Sequence, residues 1–204
     1  MAKKIIVFDF DKTLTYKDTV LDFYIFLSKN NISFLLKLII YLFLMIFCKF
    51  NMISNDYLKQ NGFNLFLKGL SVEYLEKKAK NFASNIVFNK LYHSYDFKLT
   101  IDRVIIISAS YELYLKYMFP KNIEIYGSTF NSINGRAETF NFNCYSTNKN
   151  TSLKYNDIIN INTFYTDSYT DKSLAKISEE VIIVNRDKLY KCKDINDFND
   201  FFRK

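Results

Sequence analysis

The sequence predicts an α/β fold: a doubly wound parallel sheet with a helical cap domain inserted after the first strand. Three observations point to it. Short apolar runs rich in β-branched residues recur along the chain, and each empties into small polar or acidic residues, as buried parallel strands do where their carboxyl ends open into loops. A long stretch of helical periodicity separates the first run from the second. At 204 residues the chain is long enough for one sizeable core and a smaller appended unit.

The first run, Lys3 to Phe10, contains Asp9 and is followed at once by Asp11. From about Asp18 to Asp102 the spacing of Leu, Phe, Ile and Tyr reads as several helices, with Gly62 and Gly69 as breaks. The second run, Val104 to Ile107, leads into Ser108-Ala109-Ser110, and Tyr111 to Phe119 is helical in pattern. Ile123 to Tyr145 then alternates as short strands do around the turn signal Asn134-Gly135. Thr163 to Tyr165 empties into Thr166-Asp167-Ser168, and Val181 to Val184 into Asn185-Arg186-Asp187. The expected division is a catalytic core from residues 1–17 and 97–204, with the cap formed by residues 18–96.

A net charge of +7 favours anionic partners such as phosphate esters or anionic lipid surfaces. The basic residues are spread from Lys3 to Lys204 with no dense run interleaved with aromatics, so nucleic acid is not expected as a partner. Cys48, Cys144, Cys192 and the single His93 give no soft-metal spacing, and the three cysteines read as buried free thiols of a reducing compartment. The first run turns acidic too early to be a signal-peptide core. A cytoplasmic protein is the expectation.

Ile32 to Phe50 is apolar apart from Ser33, Lys37 and Lys49, close to the length that spans a bilayer. A span there would separate Asp9 and Asp11 from Ser108, Lys149 and Asp167, and its longest uninterrupted piece, Leu38 to Cys48, is short for one. The expectation is a cap helix with no transmembrane span. The run reads first as plain cap core; a surplus apolar face would instead cover the site, pack a partner such as a second copy, or make peripheral contact with a membrane surface.

Asp9-Phe10-Asp11-Lys12-Thr13 places two carboxylates two residues apart at the carboxyl end of a strand, where open α/β sheets build their sites. In extended backbone both point the same way. One can attack phosphorus while its neighbour protonates the leaving oxygen and later deprotonates the water that releases phosphate. The paired negative charge would repel a phosphate dianion unless a hard cation such as Mg2+, which takes oxygen ligands, lies between them.

These residues resemble the haloacid dehalogenase-like hydrolases. Asp9 to Thr13 is similar to that family's first motif, and Ile105-Ile106-Ile107-Ser108-Ala109-Ser110, Lys149 and Thr166-Asp167-Ser168-Tyr169-Thr170-Asp171 follow in its order. The whole pattern most resembles the phosphoserine-phosphatase-like branch, over nearly the full chain. The resemblance implies a Rossmann-like hydrolase core with Asp9 as nucleophile and Mg2+ ligand. It makes Asp11 the general acid/base, which also lends its backbone carbonyl to the metal, and Asp167 the third protein ligand. Asp171 would support the metal site from behind, Thr13 would brace the loop, and Ser108 would bind a phosphoryl oxygen. The charge-neutralising, phosphate-binding lysine would be Lys149, with Lys154 as the alternative.

Two departures stand out: Lys12 replaces a small or polar residue, and Thr100-Ile101-Asp102-Arg103 lacks the usual Gly. Asp18, Asp22 and Tyr24 are candidates to face the substrate. The function expected is a Mg2+-dependent phosphatase acting on a phosphate monoester through an aspartyl phosphate. Its substrate would be a phosphorylated small molecule or, alternatively, a lipid phosphate of the phosphatidylglycerophosphate type. A phosphotransferase, or a membrane- or partner-binding protein without turnover, would share the same fold.

Overall fold

The computed structural model describes residues 3–27 and 32–203. Seven strands form one sheet in the order β4-β3-β2-β1-β5-β6-β7, with β1 (Ile5–Phe8), β2 (Arg103–Tyr111), β3 (Glu124–Ile133), β4 (Arg136–Phe142), β5 (Ile161–Thr166), β6 (Ser178–Asn185) and β7 (Lys188–Cys192). The pairs β1–β2, β1–β5, β2–β3 and β5–β6 are parallel, and the two edge strands are antiparallel additions. The chain leaves β1 toward β2 on one side and returns to β5 on the other. The carboxyl end of β1 is therefore the switch point where open sheets bind their ligands.

Side-chain alternation splits the apolar runs between two layers. Phe8, Val104 and Ile106 join one hydrophobic cluster, and Val7, Ile105, Ile107 and Phe164 the other. Burial on both faces is why the runs are continuously apolar rather than alternating. Helices α7 (Thr147–Tyr155), α8 (Lys172–Ala175) and α9 (Ile195–Phe201) cover the second face through Leu153, Leu174 and Phe198. The first face is covered by α6 (Glu112–Leu115) and by the helices that follow β1: α1 (Thr19–Leu27), α2 (Ile32–Lys49), α3 (Asn55–Phe66), α4 (Val72–Ala83) and α5 (Lys90–Ser94).

The element boundaries differ from the sequence expectation in physically legible ways. Strand β2 runs on through Ser108-Ala109-Ser110, with its register against β3 broken between Ile107 and Tyr111. The following helix is only four residues long. The hairpin at Asn134-Gly135 forms as expected, both residues adopting positive φ (51° and 73°), the conformation its tight turn needs. Strand β7 and helix α9 carry no expectation from sequence, because β7 is exposed at four of its five positions and its apolar signal is correspondingly weak.

Gly62 is not a break. It lies buried inside α3, and a Cβ there would sit 2.6 Å from the Tyr24 hydroxyl and 2.8 Å from the Tyr41 ring. The missing side chain is what lets α3 close on those two tyrosines. Gly69, at φ +80°, does mark the end of the helix and its following turn. Among the described residues no helix is long and apolar enough to cross a membrane.

Candidate active site

The carboxyl ends of β2, β1 and β5 lie side by side and carry Ser108, Asp9 and Asp167. Asp9 is the first residue beyond β1, and its amide still bonds to the Tyr165 carbonyl at 2.9 Å. The chain then turns tightly: Thr13 and Leu14 both donate to the Phe10 carbonyl, and Lys12 takes a positive φ of 58°. Buried Asn89, which caps α5, ties this loop down. Its side chain donates to the Thr13 carbonyl at 2.7 Å and its amide to the Leu14 carbonyl at 2.9 Å.

Lys149, in the first turn of α7, is 4% exposed. Its Nζ lies 2.6 Å from Asp9 Oδ1 and 2.8 Å from Asp171 Oδ1. These two carboxylates hold the ammonium's pKa above its ordinary value, against the opposing effect of burial. Lys154 is exposed and takes no part. Asp171 is fully buried, and its Oδ2 accepts the Thr166 hydroxyl at 2.8 Å. The Thr13 hydroxyl lies 3.2 Å from Asp9 Oδ2 and 3.5 Å from Asp167 Oδ1, so it brackets the two carboxylates. Burial, together with the charges of Asp9 and Asp171, pushes Asp167 up to about 8.

Asp11 points away from Asp9's partners into a separate hydroxyl network. Its Oδ2 meets the Ser110 hydroxyl at 2.5 Å, and its Oδ1 accepts the Thr19 amide at 2.8 Å and hydroxyl at 2.7 Å. The Thr19 hydroxyl in turn contacts Ser110 Oγ and the Tyr114 hydroxyl. Burial raises the Asp11 pKa, partly countered by the Ser110 and Thr19 hydrogen bonds. Ser108 is buried, and its Oγ accepts the Ser110 amide at 3.0 Å, leaving its own proton to donate elsewhere.

The candidates from the insertion divide. Asp18 is exposed and ion-paired to Lys12 at 2.6 Å, and Asp22 lies 3.8 Å from Lys17. Tyr24 does not face a substrate space: it is fully buried, bonded to the Tyr111 hydroxyl and stacked on Phe66. The sequence reading passed over Ser110, Thr19, Tyr114 and Lys59. Lys59 has a visible signal, since it shares the inward 3–4 residue spacing of Gly62, Phe63 and Phe66 on α3. It is 6% exposed, stands 5.3 Å from the Tyr111 ring centre, and forms no ion pair or hydrogen bond among the described residues. Burial lowers its pKa to about 8, offset in part by Asp11 and Asp18.

A cavity of about 430 Å³ opens beside Asp167, with Lys12 and Arg186 among its lining residues. Among the described residues no three His, Cys, Asp or Glu side chains group as a metal site. The Asp9 and Asp167 carboxylates, bracketed by the Thr13 hydroxyl, are the oxygen donors the geometry brings together. Two carboxylates suit a hard divalent cation that keeps several waters. Burial first, and then the charges of Asp9 and Asp171, disfavour the Asp167 carboxylate, and such a cation would favour it.

A family model described as haloacid dehalogenase-like hydrolase matches residues 6–176, spanning every residue of this constellation. The chain belongs to that family. No curated protein is matched by sequence. Among solved structures, the haloacid dehalogenase-like chain is similar to a protein of unknown function from Bordetella pertussis Tohama I, with TM-score 0.67, 13% identity and 90% of each chain covered. It is also similar to a phospho-aspartyl intermediate analogue of phosphoserine phosphatase, with TM-score 0.57, 16% identity, and 90% of this chain and 87% of that one covered. A phosphoserine phosphatase from T. onnurineus gives TM-score 0.58 at 16% identity, covering 99% of this chain and 95% of the other. At these identities the likeness is one of fold.

Proposed function

We propose that the protein is a Mg2+-dependent phosphatase that hydrolyses a phosphate monoester through an aspartyl phosphate on Asp9. The observation that carries this reading is the buried ammonium of Lys149 set between Asp9 and Asp171 at the sheet's switch point, with a second, hydrogen-bonded carboxylate two residues on at Asp11.

In the first half-reaction a carboxylate oxygen of Asp9 bonds to phosphorus as the ester P–O bond breaks. Asp11, whose raised pKa suits a proton donor, delivers its proton to the departing alcohol oxygen. In the second half-reaction Asp11, now a carboxylate, takes a proton from the water that attacks phosphorus, and Asp9 is freed as phosphate leaves. Lys149 offsets the charge that builds on the nucleophile and phosphoryl oxygens, and Ser108 donates its hydroxyl proton to one of those oxygens. Ser110, Thr19 and Tyr114 hold Asp11 in place and set its proton affinity. Mg2+, held by Asp9, Asp167 and the Asp11 carbonyl, with Asp171 behind, would screen phosphate from the carboxylates and polarise the phosphoryl group. The free thiols fit a cytoplasmic setting.

Phosphate release from a broad panel of esters, with Mg2+ and with excess chelator, tests the reading. Turnover that needs the metal supports it; equal turnover in chelator, or none with any ester, removes it. A lipid phosphate is the second substrate reading, favoured by the exposed apolar face of α2.

Residues 18–96 act in this reading as a cap over the site, and Lys59 is its cation for a second anionic group on the substrate. Lys59→Met is expected to raise KM roughly 10- to 100-fold for esters carrying a carboxylate or second phosphate, and little for esters without one. The same variant is expected to be more stable by up to about 3 kcal/mol at pH 7. The folded-state value of about 8 lies below the unfolded lysine value of about 10.4, so below pH 8 the parent bears the full cost of burying this charge. Unchanged KM values together with a lower Tm would make Lys59 a structural residue only.

A further inference from the structure

The outward face of α2 is left unpartnered by the fold, and its pattern points to an occupant. The helix packs inward through Tyr41, which lies against Tyr24 and Phe66, with Met45 and Phe34 beside it. Turning outward at about 100° per residue, the opposite side presents Leu36, Ile40, Phe43 and Phe47, and the following turn adds Phe50. These side chains are 41 to 70% exposed. From Leu36 to Phe47 no polar residue interrupts this face; Ser33 lies at its N-terminal end.

The helix's two charged residues are Lys37 and Lys49. By the same helical geometry they fall about 100° to one side and about 140° to the other side of the face's centre, from where long side chains reach past an apolar surface toward its rim. Residues 23–55 contain no Asp or Glu. Within this helix the apolar face is flanked by cations and by no carboxylate, which matches an interface of acyl chains and negatively charged headgroups. Against a second copy of itself it would set like charges beside one another at the rim. At 18 residues, or roughly 27 Å, and with one side packed on the cap, the helix suits lying in that interface rather than crossing it.

We propose that the outward face of α2 docks the protein on an anionic lipid bilayer. This is independent of the catalytic reading, because vesicle binding is measured without turnover. The test is flotation of the full chain with vesicles of phosphatidylglycerol and phosphatidylcholine in equal parts, and with phosphatidylcholine alone. Size-exclusion light scattering is run in parallel. The expected result is at least tenfold tighter association with the anionic vesicles, weakened by salt. The double variant Phe43→Asp/Phe47→Asp should reduce it more than tenfold, and Lys37→Glu/Lys49→Glu should remove the preference for anionic lipid. Both should keep the parent's melting curve, which certifies their fold. Absence of vesicle binding by the parent, equal binding to both vesicle types, or undiminished binding by the Phe variant overturns the proposal. So does a parent dimer that Phe43→Asp/Phe47→Asp makes monomeric without any vesicle association.

Discussion

Asp9→Asn is expected to lower phosphate release by on the order of 10⁴-fold or more, with little change in the melting curve. The substitution keeps the side chain's shape, and its carbonyl oxygen can still accept from Lys149 while its amide group donates to the Thr13 hydroxyl oxygen. What it removes is the anionic oxygen that bonds to phosphorus. Asn also takes one negative charge out of a cluster that already holds Asp167 up to about 8, so the metal-free variant should not be less stable than the parent. Phosphate release under saturating Mg2+, set beside the Tm of both proteins without metal, checks the two halves together. Activity within tenfold of the parent would place the nucleophile elsewhere. A large fall in Tm would mean that lost activity reports lost structure.

Lys149→Met should affect both turnover and folding. Its ammonium is the cation shared by two buried carboxylates, Asp9 and Asp171. Truncating one partner of such a group costs about 3–5 kcal/mol, which for a chain of this size is a fall of roughly 10 °C in Tm. Turnover should drop about 10³-fold, as for the loss of a group that stabilises transition-state charge. The deficit should also depend on pH. Burial already holds the Asp171 carboxyl above its ordinary value, and Lys149 is the largest influence opposing this. Without the lysine, the folded state keeps a proton on Asp171 at pH values where the unfolded chain has released it. Folding stability then falls as pH rises, so the gap from the parent should be wider at pH 8 than at pH 5. Lys154→Met, at an exposed position five residues on, should change neither Tm nor turnover. If Lys154→Met abolished activity and Lys149→Met did not, the catalytic role would pass to Lys154.

These two lysines show where sequence reading stops. Both lie on α7 in a chain with 28 Lys and Arg residues, and the spacing of side chains alone does not say which one turns toward the sheet. Packing of Leu153 into the second cluster sets the helix's rotation, and that rotation buries Lys149 and exposes Lys154. Ser110, Thr19 and Lys59 are harder still to read. Thr19 and Ser110 are 91 residues apart in sequence yet 3.0 Å apart in space. Gly62 reads locally as a helix break, but a contact between α3 and two tyrosines from other helices makes it a helix interior.

The sequence by itself determined the parallel strands, the polar residues at their carboxyl ends and the order of the family's motifs. Burial on both faces of a sheet and the Asp-x-Asp turn both leave their mark within a few consecutive residues. Only the tertiary structure decided which lysine joins Asp9, which hydroxyls hold Asp11, that Lys59 is buried beside Tyr111, and that α2 keeps an apolar face outward. Those are properties of side chains brought together across as many as 140 residues, and helix rotation and packing, rather than local pattern, determine which of them meet.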